Sequence, residues 1–114
     1  MGLSRAFTQA AASVPVVATN QFPNQATITD LSLTPTPSVS LPARPTGNRR
    51  GFIVENDGTV PVIYAYGSTV SVAARTALLF PNDVWTDDSG WQGPVAFASV
   101  GSGGTANVTE MVFI

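Results

Sequence analysis

The sequence contains no cysteine, no histidine and no lysine, and these absences exclude much protein chemistry. Without cysteine there are no disulfides, and without cysteine or histidine the usual structural zinc sites cannot form. Ser-His-Asp triads, thiol nucleophiles and Schiff-base lysines are excluded for the same reason. We therefore expect no metal and no cofactor.

Only carboxylate chemistry remains as a route to catalysis, and it needs two acids in one cleft with pKa values driven apart. Four of the seven acids, however, lie in turn-like sequence, where aspartate is favoured because its side chain bonds nearby backbone groups. They are Asp57, Asp83, Asp87 and Asp88. We predict that the chain is not an enzyme and has no catalytic residues.

Charge is also scarce, with five arginines and seven acids making up 11% of the residues, against about 25% in ordinary domains. The one adjacent basic pair, Arg49 and Arg50, is too small a patch to follow a phosphate backbone, and we expect it to be a solvated strand start. No apolar run approaches the length of a membrane span. We expect no nucleic-acid or membrane partner. Because the surface is so poorly charged, we expect other subunits to cover part of it.

Proline is concentrated in the first part of the chain, where residues 1–47 hold six of the nine prolines and three of the twelve charges. Segments such as Thr34-Pro35-Thr36-Pro37 cannot continue a helix or pair as a central strand. The apolar stretch after Arg5 is interrupted by polar residues, so we expect no signal peptide and synthesis in a cytoplasm. We predict an extended arm, residues 1–47, that becomes ordered against neighbouring subunits. Its predicted interface residues are Phe7, Phe22, Ile28, Leu31, Leu33 and Leu41.

Residues 48–114 have a different texture, with short β-type runs between Gly, Pro and Asp turns. Six or seven strands at this spacing predict an all-β antiparallel sandwich or small barrel. Asn56-Asp57-Gly58 is the strongest hairpin signal, and residues 106–114 alternate cleanly between apolar and polar positions. Strands near Ile53 and Ala96 are apolar on both faces, which suggests a subunit interface. Residues 26–33 are a candidate edge strand or a strand added to a partner.

A domain of about 67 residues buries only ~60% of its unfolded surface and is marginal alone. Since disulfides and zinc are excluded, oligomerisation is the remaining support. We therefore expect the protein to associate with copies of itself as a trimer or dimer.

Four aromatic residues could form an exposed platform for sugar binding: Tyr64, Tyr66, Trp85 and Trp91. The simpler interpretation is that they close one end of the core, since burying one such ring removes ~150–250 Å² from water. We favour the core interpretation and keep the platform as an alternative.

The second half of the chain contains an ordered set of short motifs: Arg, Ile-Val-Glu-Asn, Gly, Val-Ile-Tyr and Gly, then Leu-Phe-Pro-Asn-Asp and Gly-Pro-Val-Ala-Phe-Ala, and the final alternating strand. The residues are Arg50, 53–56, Gly58, 62–64, Gly67, 79–83, 93–98 and 110–112. In this order of motifs the chain resembles small β-sandwich virion proteins of tailed bacteriophages.

The resemblance implies a minimal jelly-roll-like sandwich that carries an extra arm, and a structural role in the virion. We expect a capsid decoration (cement) protein whose arm bridges subunits of the major capsid protein, located on the capsid surface. The alternatives are a phage tail or fibre component and, from another class, a carbohydrate-binding adhesion module.

Overall fold

The computed structural model describes residues 25–113, and every regular element in this part of the chain is a β-strand. There are eight strands. They are β1 (Gln25–Leu33), β2 (Ser38–Leu41), β3 (Arg49–Glu55), β4 (Val62–Tyr66), β5 (Ala77–Leu79), β6 (Val84–Asp87), β7 (Val95–Ser99) and β8 (Gly104–Val112).

The strands form two four-stranded antiparallel sheets. Sheet A has the order β1-β8-β3-β6 and sheet B the order β2-β7-β4-β5. Every connection between successive strands passes from one sheet to the other, except the one from β4 to β5. This winding is the double Greek key of a jelly roll. The prediction of an all-β, jelly-roll-like sandwich is confirmed.

The alternation of β8 shows how the sequence determines the two faces of a strand. Ala106, Val108, Glu110 and Val112 are buried, and the residues between them are half-buried on the outer face. Because side chains of a strand point alternately to opposite faces, the buried set lies between the sheets.

The core between the sheets is built around three aromatic rings. Phe52 meets Tyr64 edge-on with ring centroids 5.3 Å apart, and Phe97 lies 5.5 Å from Tyr64 and 6.5 Å from Phe52. Edge-on pairs of this kind stabilise a core by about 0.5–1.5 kcal/mol beyond the area that they bury. The surrounding apolar residues are Leu33, Leu41, Val54, Val62, Ala77, Leu79, Val95, Ala106 and Val108.

The outer face of sheet B is covered by the chain itself. The connection between β4 and β5 places Val70 against Ile63, Ala65 and Ala96 in a second buried cluster. The apolar second face of β7 is therefore explained within one chain, and the interpretation of that face as a subunit interface is wrong.

The expected boundary between arm and sandwich at residue 47 is also wrong. β1 pairs with β8 along nine residues, and β2 pairs with β7, so residues 25–41 supply one strand to each sheet. Leu33 and Leu41 are buried in the shared core. The prolines of this region lie between strands or beside edge strands, where a missing N–H removes no ladder bond. Residues 1–24 of the expected arm lie outside the described part of the chain.

The predicted hairpin at Asn56-Asp57-Gly58 does not form, because β3 and β4 belong to opposite sheets. Asn56 is instead fully buried, and its side chain forms hydrogen bonds to the backbone of three other residues. Its Nδ2 donates to the carbonyl oxygens of Val60 and Leu79, and its Oδ1 accepts from Gly58 N. The sequence Asn56-Asp57-Gly58, which is typical of a hairpin turn, therefore lies in the connection from sheet A to sheet B.

Candidate functional site

Two buried carboxylates lie in one row across sheet A. Phe52 pairs with Glu110 of β8 on one side and with Asp87 of β6 on the other. Paired residues share a face, so both carboxylates point between the sheets. Their strands lie roughly 10 Å apart with β3 between them. The sequence indicated a turn at Asp87, but the residue ends a strand and is only 5% exposed.

Asp87 is held by four hydrogen bonds from its own chain. Tyr64 Oη and Tyr66 Oη donate to Asp87 Oδ2 at 2.7 and 2.6 Å. Ser89 donates to Asp87 Oδ1 from its backbone N at 3.1 Å and from its Oγ at 2.7 Å. Burial alone raises the pKa of this carboxyl, but the donors outweigh burial and lower the pKa below its usual value. Burial and the same carboxylate raise the pKa of the Tyr64 hydroxyl, so it stays protonated and donates.

Glu110 is the centre of an ion-paired triad with Arg44 and Arg49. Arg44 Nε and Arg49 Nε donate to Glu110 Oε2 at 3.0 and 2.8 Å, and Arg44 Nη2 donates to Oε1. Burial raises the pKa of the Glu110 carboxyl, but the two guanidinium groups outweigh it and the pKa lies below its usual value. The Arg49 side chain is 1% exposed. The expectation that both Arg49 and Arg50 would be solvated is therefore wrong for Arg49.

Arg49 also fastens the connection between β6 and β7. Its Nη1 donates to the carbonyl oxygens of Trp91 and Gly93, and its Nη2 donates to that of Pro42. Gln92 also binds Arg49: its Oε1 accepts from the backbone N of Arg49, and its Nε2 donates to the backbone O of Arg49. A rigid guanidinium fork suits such a junction of several carbonyls.

These contacts leave little acid–base capacity. Both buried carboxylates are occupied by donors of the same chain, and they are separated by Phe52. Within residues 25–113 no cluster of three or more acids could hold a metal ion. In this arrangement the two buried carboxylates hold loops of the same chain in place.

The four aromatic residues of the predicted platform do not lie on one surface. Tyr64 is fully buried, which confirms the favoured core interpretation for this residue and makes the platform alternative wrong for it. Tyr66 and Trp91 stack with centroids 5.1 Å apart and planes inclined by 22°. Trp91 Nε1 donates to the carbonyl of Pro94. Trp85 on β6 is 50% exposed and Trp91 is 37% exposed, so the core interpretation is wrong for both tryptophans.

Two shallow clefts flank the end of β6. One, of about 170 Å³, lies at the open edge of the sandwich and is lined by Tyr66, Thr76, Trp85, Thr86, Asp87, Asp88 and Ser89. The other, of about 160 Å³, lies beside the outer face of sheet A and is lined by Arg50, Gly51, Thr86, Asp87, Asp88 and Met111. Both are smaller than the ~300–1,000 Å³ of usual small-molecule sites.

The predicted interface residues of the arm separate into four groups. Leu33 and Leu41 are core residues and are not available to a partner, which corrects the prediction for both. Leu31 is half-buried against the same core. Ile28 is 68% exposed on β1 and is the most exposed of the large apolar side chains in the described chain. Phe7 and Phe22 lie outside the described residues.

The outer face of sheet A contains Ile53, whose strand the sequence indicated to be apolar on both faces. The strand register places Ile28, Thr109, Ile53 and Thr86 in one row across all four strands. The row on one side of it holds Ala26, Met111 and Gly51, and neither of these two rows contains a charge. The row on the other side holds Asp30, Asn107, Glu55 and Val84, and so carries two carboxylates. The extent of this surface becomes visible only once the order β1-β8-β3-β6 is known.

Comparison with known proteins gives no relative: no family model, no curated protein and no solved structure matches the chain. None of the described residues belongs to a helix that could cross a membrane.

Proposed function

We propose that this protein is a non-catalytic structural component of a bacteriophage virion, most specifically a capsid decoration protein that binds the major capsid protein and copies of itself. The sandwich would act as a rigid body on the capsid surface, and residues 1–24 would extend the contact to neighbouring subunits. The arm of this proposal is shorter than residues 1–47, because residues 25–41 belong to the sandwich.

The observation that carries the proposal is the charge-free part of the outer face of sheet A. The row of Ile28, Thr109, Ile53 and Thr86 and the neighbouring row of Ala26, Met111 and Gly51 carry no charge, and Ile28 is 68% exposed. Charges on this face lie in the next row, at Asp30 and Glu55. Uncharged surface promotes association. A surface of this kind suits a protein that is covered in an assembly.

The fold and the locked loops add support. Jelly rolls occur in viral capsid and lectin domains, although fold alone does not determine function. Loops fixed by the Arg44–Glu110–Arg49 triad and by Asp87 keep the shape of the sandwich constant, so little entropy is lost when it docks. Many weak contacts repeated over a lattice then add up by avidity.

The test uses phage heads that lack this protein, prepared from a mutant of the encoding phage. Purified full-length protein and a variant containing residues 25–114 are each mixed with the heads and sedimented. We expect the full-length protein to saturate the heads and the shortened protein to bind at least tenfold more weakly. Failure of the full-length protein to bind heads contradicts the capsid proposal; binding to tails instead favours the tail or fibre alternative. Equal binding of both contradicts the role of residues 1–24.

A second candidate, carbohydrate binding, is favoured by the cleft at the sandwich edge. Trp85 keeps half of its surface in water beside Tyr66, Thr76 and the carboxylate of Asp88. An exposed ring next to hydroxyl and carboxylate groups can stack on one face of a sugar and bond its hydroxyls. The cleft has room for a single sugar ring at most.

Tryptophan fluorescence tests this second candidate. Glucose, galactose, mannose and N-acetylglucosamine are titrated to 50 mM (roughly 50-fold above a ~1 mM Kd) into the wild type, Trp85→Ala and the control Phe80→Ala. A saturable change that Trp85→Ala abolishes and Phe80→Ala retains supports binding. No change in the wild type rules out these sugars as ligands.

A further inference from the structure

β1 leaves one long edge of sheet A without a partner among the described residues. It pairs with β8 on one side only, over nine residues and without a register shift. Residues 25–30 are all exposed, and Asp30 is the one charge in the strand. The main-chain N–H and C=O groups of this edge are therefore available to another strand.

The other edges are protected in ways that β1 is not. β2 carries an irregularity between Val39 and Leu41 and is followed by Pro42. β5 and β6 are three and four residues long. Short strands, bulges, prolines and charged side chains are the usual protection of sheet edges. Of these features β1 has only the single charge of Asp30, so it is the edge best suited to pairing.

We propose that β1 pairs in antiparallel fashion with β1 of a second copy of this chain, with Ile28 directly opposite Ile28 of the second copy. The two copies are related by a two-fold axis perpendicular to sheet A. The pairing joins the two sheets A into one sheet of eight strands, and the row that contains Ile28 continues across the junction.

The side chains of β1 favour this register over those that place Thr29 or Asp30 on the axis. Opposite residues must share a face, so a residue of β1 has to lie on the axis. With Asp30 on the axis, two carboxylates would lie opposite each other, and like charges in this position are destabilising. With Thr29 on the axis, the charge of Asp30 would lie opposite the apolar side chain of Ile28. With Ile28 on the axis, Thr27 faces Thr29 and Asp30 faces Ala26, which brings no two charges together.

Contact between the two Ile28 side chains supplies part of the driving force. The side chain is 68% exposed in the single chain, and pairing places the two copies side by side on the outer face, which removes part of their surface from water. Full burial of one isoleucine contributes about 1.5–3 kcal/mol, so partial burial contributes less, and the new ladder adds main-chain hydrogen bonds. The pairing is compatible with the proposed function but does not rest on it, because it concerns the isolated protein.

The absence of cysteine allows a sharp test by single-cysteine variants. Opposite residues in antiparallel strands have Cβ atoms ≈ 4.5–5.5 Å apart, close to the spacing that a disulfide needs. Ile28→Cys should cross-link to a dimer under mild oxidation. Asp30→Cys lies on the same face but about 13 Å from its counterpart in this register, at ~3.3 Å per residue. It should remain at least 90% monomeric on a denaturing gel.

Because Ile28→Cys also removes the isoleucine that stabilises the proposed dimer, a second measurement tests the dimer in the wild-type protein. Light scattering of the wild type at 100 µM should give twice the chain mass; Ile28→Lys should give the chain mass, and the exposed control Val72→Lys should keep the dimer. A wild-type monomer, or a dimer that survives Ile28→Lys, overturns the proposal. Equal cross-linking of Ile28→Cys and Asp30→Cys overturns the register. These results are independent of whether the protein binds phage heads.

Discussion

Replacing Glu110 by glutamine tests the buried triad most directly. The substitution keeps the shape of the side chain and one acceptor oxygen but removes the negative charge. Arg49 then remains 1% exposed with no carboxylate to compensate its charge, because its other partners are carbonyl oxygens. Breaking a buried pair by removing one partner costs more than the pair itself contributes, since a charge is left buried and uncompensated.

The magnitude follows from that geometry. Loss of one partner of a buried ion pair costs about 3–5 kcal/mol, and the retained oxygen of glutamine places the expected value at the lower limit, about 3 kcal/mol. For a domain of this size a loss of 1 kcal/mol lowers Tm by about 4–8 °C, so a decrease of roughly 12–24 °C is expected. Arg44→Gln is the matched control. Arg44 is 32% exposed and leaves the Arg49–Glu110 pair intact, so the expected cost is about 1 kcal/mol.

Urea unfolding followed by tryptophan fluorescence at pH 7 measures both variants, because Trp91 belongs to the loop that Arg49 holds. A double variant Glu110→Gln/Arg49→Met that is more stable than Glu110→Gln would identify the uncompensated guanidinium as the cause, because the gain would exceed the loss of the hydrogen bonds from Arg49 to three carbonyl oxygens. A loss below 1 kcal/mol in Glu110→Gln, or a larger loss in Arg44→Gln, would refute the reasoning.

Three further predictions concern the same polar groups. The folded-state pKa values of Glu110 and Asp87 are both lowered. The stabilisation by these carboxylates is therefore present above their unfolded pKa values near pH 4 and is lost as pH falls through the folded pKa values. Urea unfolding between pH 7 and 2 should show the free energy of unfolding decrease over this range, and the decrease should be shallower in Glu110→Gln. Asn56→Ala leaves two carbonyl oxygens without their donor and should lower the free energy of unfolding by about 2–4 kcal/mol. Urea unfolding measures this loss, and a loss under 1 kcal/mol would contradict the stabilising role of these hydrogen bonds. Tyr64→Phe removes a donor to the Asp87 carboxylate and should cost about 1.5–3 kcal/mol and raise the pKa of that carboxyl, measured by NMR titration; an unchanged pKa would contradict the assignment.

The strands were predictable from the sequence because their pattern is local. The alternation of residues 106–112 and the apolar run of β7 identify strands without any knowledge of their partners. The assignment of strands to sheets was not local. Asn56-Asp57-Gly58 has the composition of a hairpin turn, yet it crosses between layers. Residues 26–33 are predicted as an edge strand or a strand added to a partner, and β1 is an edge strand of this chain's own sheet A. The sequence nevertheless places β1 and β2 in an arm, because prolines lie between and after them and their partner residues are 54–87 positions away.

The buried polar groups were harder still to predict. Asp87 looked like a turn residue and Arg49 like a solvated one, because these are the usual environments of those residue types. Their burial depends on partners supplied by other strands, Tyr64 for one and Glu110 for the other. A signal was present only in β8, where Glu110 occupies a position of the buried face in the alternation.

The central claim, a structural role in a phage capsid, is tested most directly by counting this protein in purified particles of the encoding phage. Quantitative mass spectrometry gives its copy number relative to the major capsid protein. We expect a fixed ratio, with tens to hundreds of copies in each particle, as the avidity of a repeating lattice requires. A protein missing from the particles, or present in the few copies of a tail tip, would contradict the claim.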